Sequence, residues 1–287
     1  MKGPLLLMAG IGLFGLLDAN SKILSADYGV AQALVIRHAT LLLLLFGLRA
    51  LWRGAGGRLR TEHPRMHALR ATAMLFSGVC FFLGFRHLPL AVGYLVFFTA
   101  PFLTLVMASV FLREAVPRAA WIWCGVGFAG VVLALVPQIG TGDANLIGLL
   151  YLLGGTLCYA INITVNRGLR GEPGLARLIL WPSLLGIFAT TPFAAEGWVA
   201  PDAEAWARLI ANGIFAGAAA LCLALAFRHA AASRLAPFEF VALPWAVVLD
   251  LVIFGDPPAA SVLAGGAVVI MACVMSERAI RASVRGR

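Results

Sequence analysis

Charge is what this chain of 287 residues has least of: 22 bases and 13 acids make it only 12% charged, against 61% apolar. Soluble domains run at about 25% charged, so a 30.4 kDa globule of this composition cannot coat itself for water. A soluble enzyme, a disordered chain and a coiled coil are excluded. Cysteine is scarce too. The five (Cys80, Cys124, Cys158, Cys222, Cys273) are odd in number and all lie inside apolar runs. That excludes a disulfide framework and makes them small buried hydrophobes. No phosphate loop of the form GxxxxGK followed by Ser or Thr occurs, and no HExxH. His38, His87 and His229 have no second ligand at metal-like spacing,. No ATPase, metal or other cofactor is therefore expected. With a mean hydropathy of +0.93, the solvent that suits the chain is a lipid bilayer.

A spanning helix takes about 20 mostly apolar residues. Cutting at charged, Gly and Pro clusters gives ten: about 4–24, 31–51, 68–87, 90–112, 118–137, 146–166, 175–194, 206–228, 234–254 and 260–280. The first run continues through Asp18, Asn20 and Lys22 without a small-x-small cleavage site, so a retained helix is expected rather than a signal peptide,. With the N-terminus in the cytoplasm, 18 of the 22 bases fall inside, including Arg49 to Arg70 and Arg278 to Arg287. Lys22, Arg37, Arg86 and Arg208 fall outside. This split follows the positive-inside rule. It predicts ten spans with both termini inside, and explains the net charge of +9 without nucleic acid.

The chain also repeats itself. Cys80–His87 matches Cys222–His229 at an offset of 142, with five of eight positions identical. The same offset carries Glu114 onto Asp256, 143 carries Pro101 onto Pro244, and 145 carries Phe14 onto Tyr159 and Lys22 onto Arg167. The reading is an all-α polytopic membrane protein of ten transmembrane helices, in two five-helix repeats, 1–140 and 141–287. Five is odd, so the second copy enters the membrane inverted. Inverted repeats suit alternating access, with a site near the midplane.

Residues 93–136, with Pro101 in mid-helix, Glu114 ending it and Gly125, Gly127 and Gly130 in the next helix, resemble the signature stretch of the EamA-type drug/metabolite transporters. Residues 242–275 resemble the same stretch again, through Pro244, Asp256, Gly265 and Gly266, although Asp256 stands where Glu is usual and two prolines follow it. The late Asn20 and Lys22 of the first helix, and Arg37 opening the second, fit the same family. The resemblance implies a five-plus-five carrier of small metabolites, some members exporting amino acids, aromatic ones among them. Its motifs are scaffold and do not choose the substrate.

Ionisable groups at membrane depth are costly and are functional candidates. Three acids qualify: Asp18, Glu239 and Asp250. Asp18 precedes Lys22 by four, so a pair on one helix face is its plain alternative. Glu239 lies between Pro237 and Pro244, where lost helix bonds predict irregular backbone along a cavity; a pair with Arg234 or Arg228 is its alternative. For Asp250 the alternative is a structural pair or a wet rim. Asp18, Lys22, Asp250 and the prolines Pro101, Pro237 and Pro244 are expected to couple or gate. Asn20 and Asn162 bridge helices or touch substrate. Phe82, Phe85, Tyr94, Phe97, Phe98, Tyr159, Trp181 and Trp245 lie within spans, and a wet cavity walled by them would favour an amphipathic solute. Gly10, Gly12, Gly15, Gly125, Gly127, Gly130, Gly213, Gly217, Gly265 and Gly266 read as helix contacts.

The leading expectation is a secondary carrier exporting a small amphipathic metabolite, an amino acid first, across a bacterial inner membrane. One copy of the chain suffices for this. The alternatives are an uptake carrier for another metabolite, a membrane-embedded transferase, which would need clustered acids or a metal, and a channel.

Overall fold

The computed structural model describes residues 2–52, 54–111, 116–139, 143–169, 174–229, 235 and 238–285. The elements are α1 (Lys2–Leu24), α2 (Val30–Leu51), α3 (Pro64–His87), α4 (Leu90–Phe97), α5 (Ala100–Phe111), α6 (Arg118–Ile139), α7 (Asp143–Gly168), α8 (Leu175–Glu196), α9 (Ala203–His229), α10 (Ala242–Leu249) and α11 (Ala260–Arg285). Among the described residues nine helical segments are long and apolar enough to cross a bilayer, α4 and α5 counting as one, and a shorter apolar helix runs from Ala242 to Phe254. Ten helices cross. The outward side chains suit lipid: Leu43, Phe111, Leu133, Phe188 and Val252 are all largely exposed. In water such a surface would drive aggregation; in hydrocarbon it costs nothing.

The fourth and ninth segments are both broken. In the fourth, α4 ends at Phe97, the Thr99 N–H turns back to the Val96 carbonyl (3.0 Å), and α5 begins at Ala100. In the ninth, the Val241 N–H turns back to the Phe238 carbonyl (3.3 Å) and α10 begins at Ala242. Ala100 and Ala242 are 142 apart, the offset that aligns Cys80 with Cys222. Pro101 and Pro244 sit second and third in α5 and α10. There the missing N–H is no loss, because first-turn donors have no intrahelical acceptor. These prolines therefore start a helix after a break rather than kink one. Past the break in the ninth segment, α10 runs on as a π-helical turn, Asp250–Phe254, closed by Gly255 at φ +69°. That left-handed conformation suits glycine, which has no Cβ to clash.

The pairing of helices has its own symmetry. α1 packs on α9, α3 on α7, α2 on α8, α6 on α11 and α4 on α10. Exchanging the first five spans with the last five turns α1–α9 into α7–α3 and returns the other pairs to themselves. The main buried cluster centres on α4, with α6, α7, α10 and α11 around it and single residues from α1, α3 and α5, and every residue of α4 from Leu90 to Val96 is buried.

Glycine sets the close approaches. A Cβ on Gly265 would meet the Ala134 side chain and stand 2.7 Å from the Gly130 carbonyl; on Gly130 it would stand 2.8 Å from Val268. A Cβ on Gly12 or Gly125, expected to do the same, would meet nothing within 4 Å. Gly265→Leu is therefore expected to destabilise the α6–α11 contact by about 1–3 kcal/mol, the usual range for overpacking. Gly125→Leu should shift the midpoint of thermal unfolding in detergent far less, and equal losses at the two positions would refute this packing.

After α2, the stretch 54–63 is held down rather than free. Arg49 donates to the Ala55 and Gly57 carbonyls (2.7 Å each), the Ala176 N–H to Gly56 (2.9 Å) and Arg177 to the Arg60 carbonyl (2.9 Å). Arg70, counted with the inner cations at the start of the 68–87 helix, lies inside α3, 3% exposed, donating to the Arg177 carbonyl (3.0 Å).

Candidate functional site

Arg37 was expected at the outer edge of its helix. It stands instead two turns inside α2 and is buried. Its Nε donates to Asn212 Oδ1 of α9 and its Nη2 to Ser21 Oγ of α1 (3.0 Å). Asn212 Nδ2 donates in turn to Ser21 Oγ (2.9 Å) and to the Leu17 carbonyl (3.2 Å). Asn20 adds a further α1–α9 bond, Nδ2 to the Arg208 carbonyl (2.8 Å). A buried charge needs this many partners, because burial without them is strongly unfavourable. Three helices are thereby fixed around one guanidinium, which lies within electrostatic reach of Asp18.

Asp18 does not pair with Lys22. Its Oδ2 accepts the Tyr94 hydroxyl from α4 at 2.8 Å. From there aromatic rings continue inward. Tyr94 lies edge-on to Phe97 (6.4 Å between centroids), and Phe97 edge-on to both Tyr159 of α7 (4.8 Å) and Phe81 of α3 (5.9 Å); Phe81 stacks on Phe85 (5.8 Å). Edge-to-face contacts of this kind contribute about 0.5–1.5 kcal/mol each beyond burial. Tyr159 is within electrostatic reach of Glu239, which is exposed just before the break that precedes α10. Glu239 also feels Glu277 of α11. The row Asp18, Tyr94, Phe97, Tyr159 and Glu239 thus links four segments, with an acid at each end and aromatic faces between. Trp245 flanks it on α10, its Nε1 donating to the Gly12 carbonyl of α1 (3.1 Å) while its ring fills the space a Cβ on Gly15 would need.

Lys22 and Asp250 belong to a second cluster. Asp250 is 1% exposed and accepts the backbone N–H groups of Leu90 (2.9 Å) and Ala91 (2.7 Å), so it caps α4 from another segment. Lys22 Nζ stands 3.7 Å from Asp250, 3.8 Å from Asp256 and 4.3 Å from the centroid of the Phe254 ring. A wet rim is excluded for Asp250, and Lys22 serves it rather than Asp18.

Other candidates do not join the row. Phe82 turns away from the row and packs with Leu24, Ile36 and Leu209. Trp181 lies beside His67 (6.1 Å), its Nε1 buried without an acceptor. Asn162 donates to the Met74 sulfur (3.4 Å) while its Oδ1 is buried without a donor. Phe98 packs on Phe240 (5.8 Å), ring against ring across the two breaks. Pro101 and Pro244 are exposed. Pro237, Arg234 and Glu114 lie outside the described residues. What sequence reasoning missed was Arg37 with Ser21 and Asn212. The signal was present: a lone arginine and a lone amide inside apolar runs, to which the rule used for the acids applies equally.

The profile of the EamA-like transporter family matches residues 1–136 and 146–277. The S-adenosylmethionine uptake transporter of Rickettsia conorii is 24% identical over 212 residues, 74% of this chain and 71% of its own. The pseudopaline exporter of Pseudomonas aeruginosa is 23% identical over 277 residues, 96% of each chain. The riboflavin transporter of Rhizobium johnstonii is 25% identical over 279 residues, 95% of this chain and 89% of its own. A solved crystal structure 18% identical in sequence superposes with a TM-score of 0.68 over 97% of both chains, a likeness of fold alone.

Proposed function

This chain belongs to the EamA-like transporter family, and we propose that it is a secondary carrier exporting a small amphipathic metabolite, with amino acids the first class to test. Transport proceeds by alternating access of two inverted repeats, 1–140 and 141–287. The observation that carries this reading is the row Asp18–Tyr94–Phe97–Tyr159: a carboxylate held by a phenol, then rings presenting edges and faces, drawn from both halves of the chain. Such a surface suits a solute with a polar end and an apolar side chain. Glu239 and Trp245 border it. The repeats are supported by the two breaks at one sequence offset and by helix pairs that map onto themselves when the halves are exchanged.

Export is favoured by the exporter relative that spans 96% of both chains. The uptake relative supports import as the second reading. The carrier lies in a bacterial cytoplasmic membrane with both termini inside, where its cations concentrate. One copy of the chain suffices for transport, without a cofactor.

The test is counterflow in liposomes, using labelled amino acids together with S-adenosylmethionine and riboflavin, with and without an imposed pH gradient. Saturable counterflow of at least one solute is expected. No flux of any of them, with insertion verified, sinks the reading.

A further inference from the structure

The first turn of α4 is capped by a residue from the other half of the chain. Asp250 reaches it from the π turn that follows α10, accepting the Leu90 and Ala91 N–H groups at 2.9 and 2.7 Å. First-turn donors of a helix have no partner within it, and a carboxylate facing that end also meets the positive pole of the helix dipole. Lys22, from the last turn of α1, stands 3.7 Å from the same carboxylate and is held over the Phe254 ring. Asp256 is the other acid beside it, at 3.8 Å. One carboxylate therefore ties together the same-side ends of α1, α4 and α10. Tyr94, the first member of the aromatic row, lies one turn further along α4.

We propose that Asp250, with Lys22, is the outer gate of the carrier: a latch that closes α4 and α10 over the aromatic row and must release for the outward-open state. The proposal rests on the alternating-access reading above. The bonds suit a gate because they join separate segments, whereas a cap within one helix would travel with it. Release strips two N–H groups and an ammonium of their carboxylate at once. The closed state is thereby favoured until substrate makes up the difference. Asp250 is a positioning residue; it acts through α4.

Accessibility of single introduced cysteines tests this, in right-side-out and inside-out membrane vesicles, with a membrane-impermeant thiol reagent. The native cysteines lie within the helices, and labelling of the parent chain gives the baseline. Val92→Cys reports the first turn of α4 and Phe97→Cys a position about 7 Å deeper, at 1.5 Å per residue. In the presence of Asp250→Asn, labelling of both from the outer face is expected to rise about tenfold or more, as for loss of a charged hydrogen bond. Lys22→Gln, which leaves the cap in place, should raise both about threefold, and it keeps the test alive if Asp250→Asn fails to fold.

A rise at position 92 alone means a frayed helix end and overturns the gate. So does a rise seen only in inside-out vesicles. Unchanged labelling in both variants, with counterflow of the parent chain intact, overturns the latch and leaves the carrier standing. Faster labelling at both positions, with no counterflow in the parent chain, supports the latch while the carrier reading fails.

Discussion

Replacing Arg37 by leucine is expected to cost about 3–5 kcal/mol of stability, the range seen when one member of a buried charged network is removed. Much of the folded yield in mild detergent should go with it. The reason is what the substitution strands. Asn212 Oδ1 loses its donor, and Ser21 loses one of the two side chains that donate to it. Asp18 loses the nearby cation and keeps only the Tyr94 hydroxyl, within a membrane span. The comparison is Arg208→Leu. Arg208 pairs with Glu204 one turn away on the surface of α9 (2.7 Å), and exposed pairs of that kind contribute about 0.3–0.5 kcal/mol. Thermal unfolding of the two variants should differ widely. Similar midpoints would mean that the Arg37 network does not hold α1, α2 and α9 together.

The second large effect is on transport. Asp18→Ala and Tyr94→Phe each break the bond that begins the aromatic row. A hydrogen bond to a charged group contributes about 1.5–3 kcal/mol, so counterflow should fall about 10- to 100-fold in either variant. Because the two side chains act as one unit, the double variant should transport about as well as the worse single one. Multiplicative losses would show that the two act separately, and would remove the pair from the site. Tyr94→Phe keeps the ring and its edge contact with Phe97, so stability should change little and the loss can be read as function.

The number of spans and the irregular backbone beside Glu239 were legible in the amino-acid pattern. Hydropathy marks the helices, and Pro237 and Pro244 mark the break in the ninth span. The break in the fourth span was not legible: the pattern puts Pro101 in mid-helix, and the structure puts it second in α5. What the pattern hid was pairing across the fold. Helical periodicity shows Asp18 and Lys22 as neighbours four apart, and the structure gives each a different partner. Tyr94 is 76 residues from Asp18, and the nitrogen atoms that Asp250 caps are about 160 residues from it. Local spacing carries no trace of such distances. Arg37 was misplaced for a related reason. A cation near a helix start reads as interfacial when counted by sign, yet its burial follows from an amide on α9 that only the tertiary fold supplies. Trp181 and Phe82 were good aromatic candidates by position and poor ones by direction, since each faces a neighbour away from the row.

The cap on α4 has a consequence for biosynthesis. The Leu90 N–H emerges 160 residues before the carboxylate that meets it. At about 5–20 residues per second, translation leaves that donor waiting roughly 8–30 seconds. Through that interval α4, buried on every side in the finished protein, has neither its cap nor the helices of the second half around it. Its first turn must be kept wet, or held by the insertion machinery, until the ninth span arrives. The first five spans thus cannot reach their final arrangement alone, and a chain interrupted between the copies would need both pieces made together.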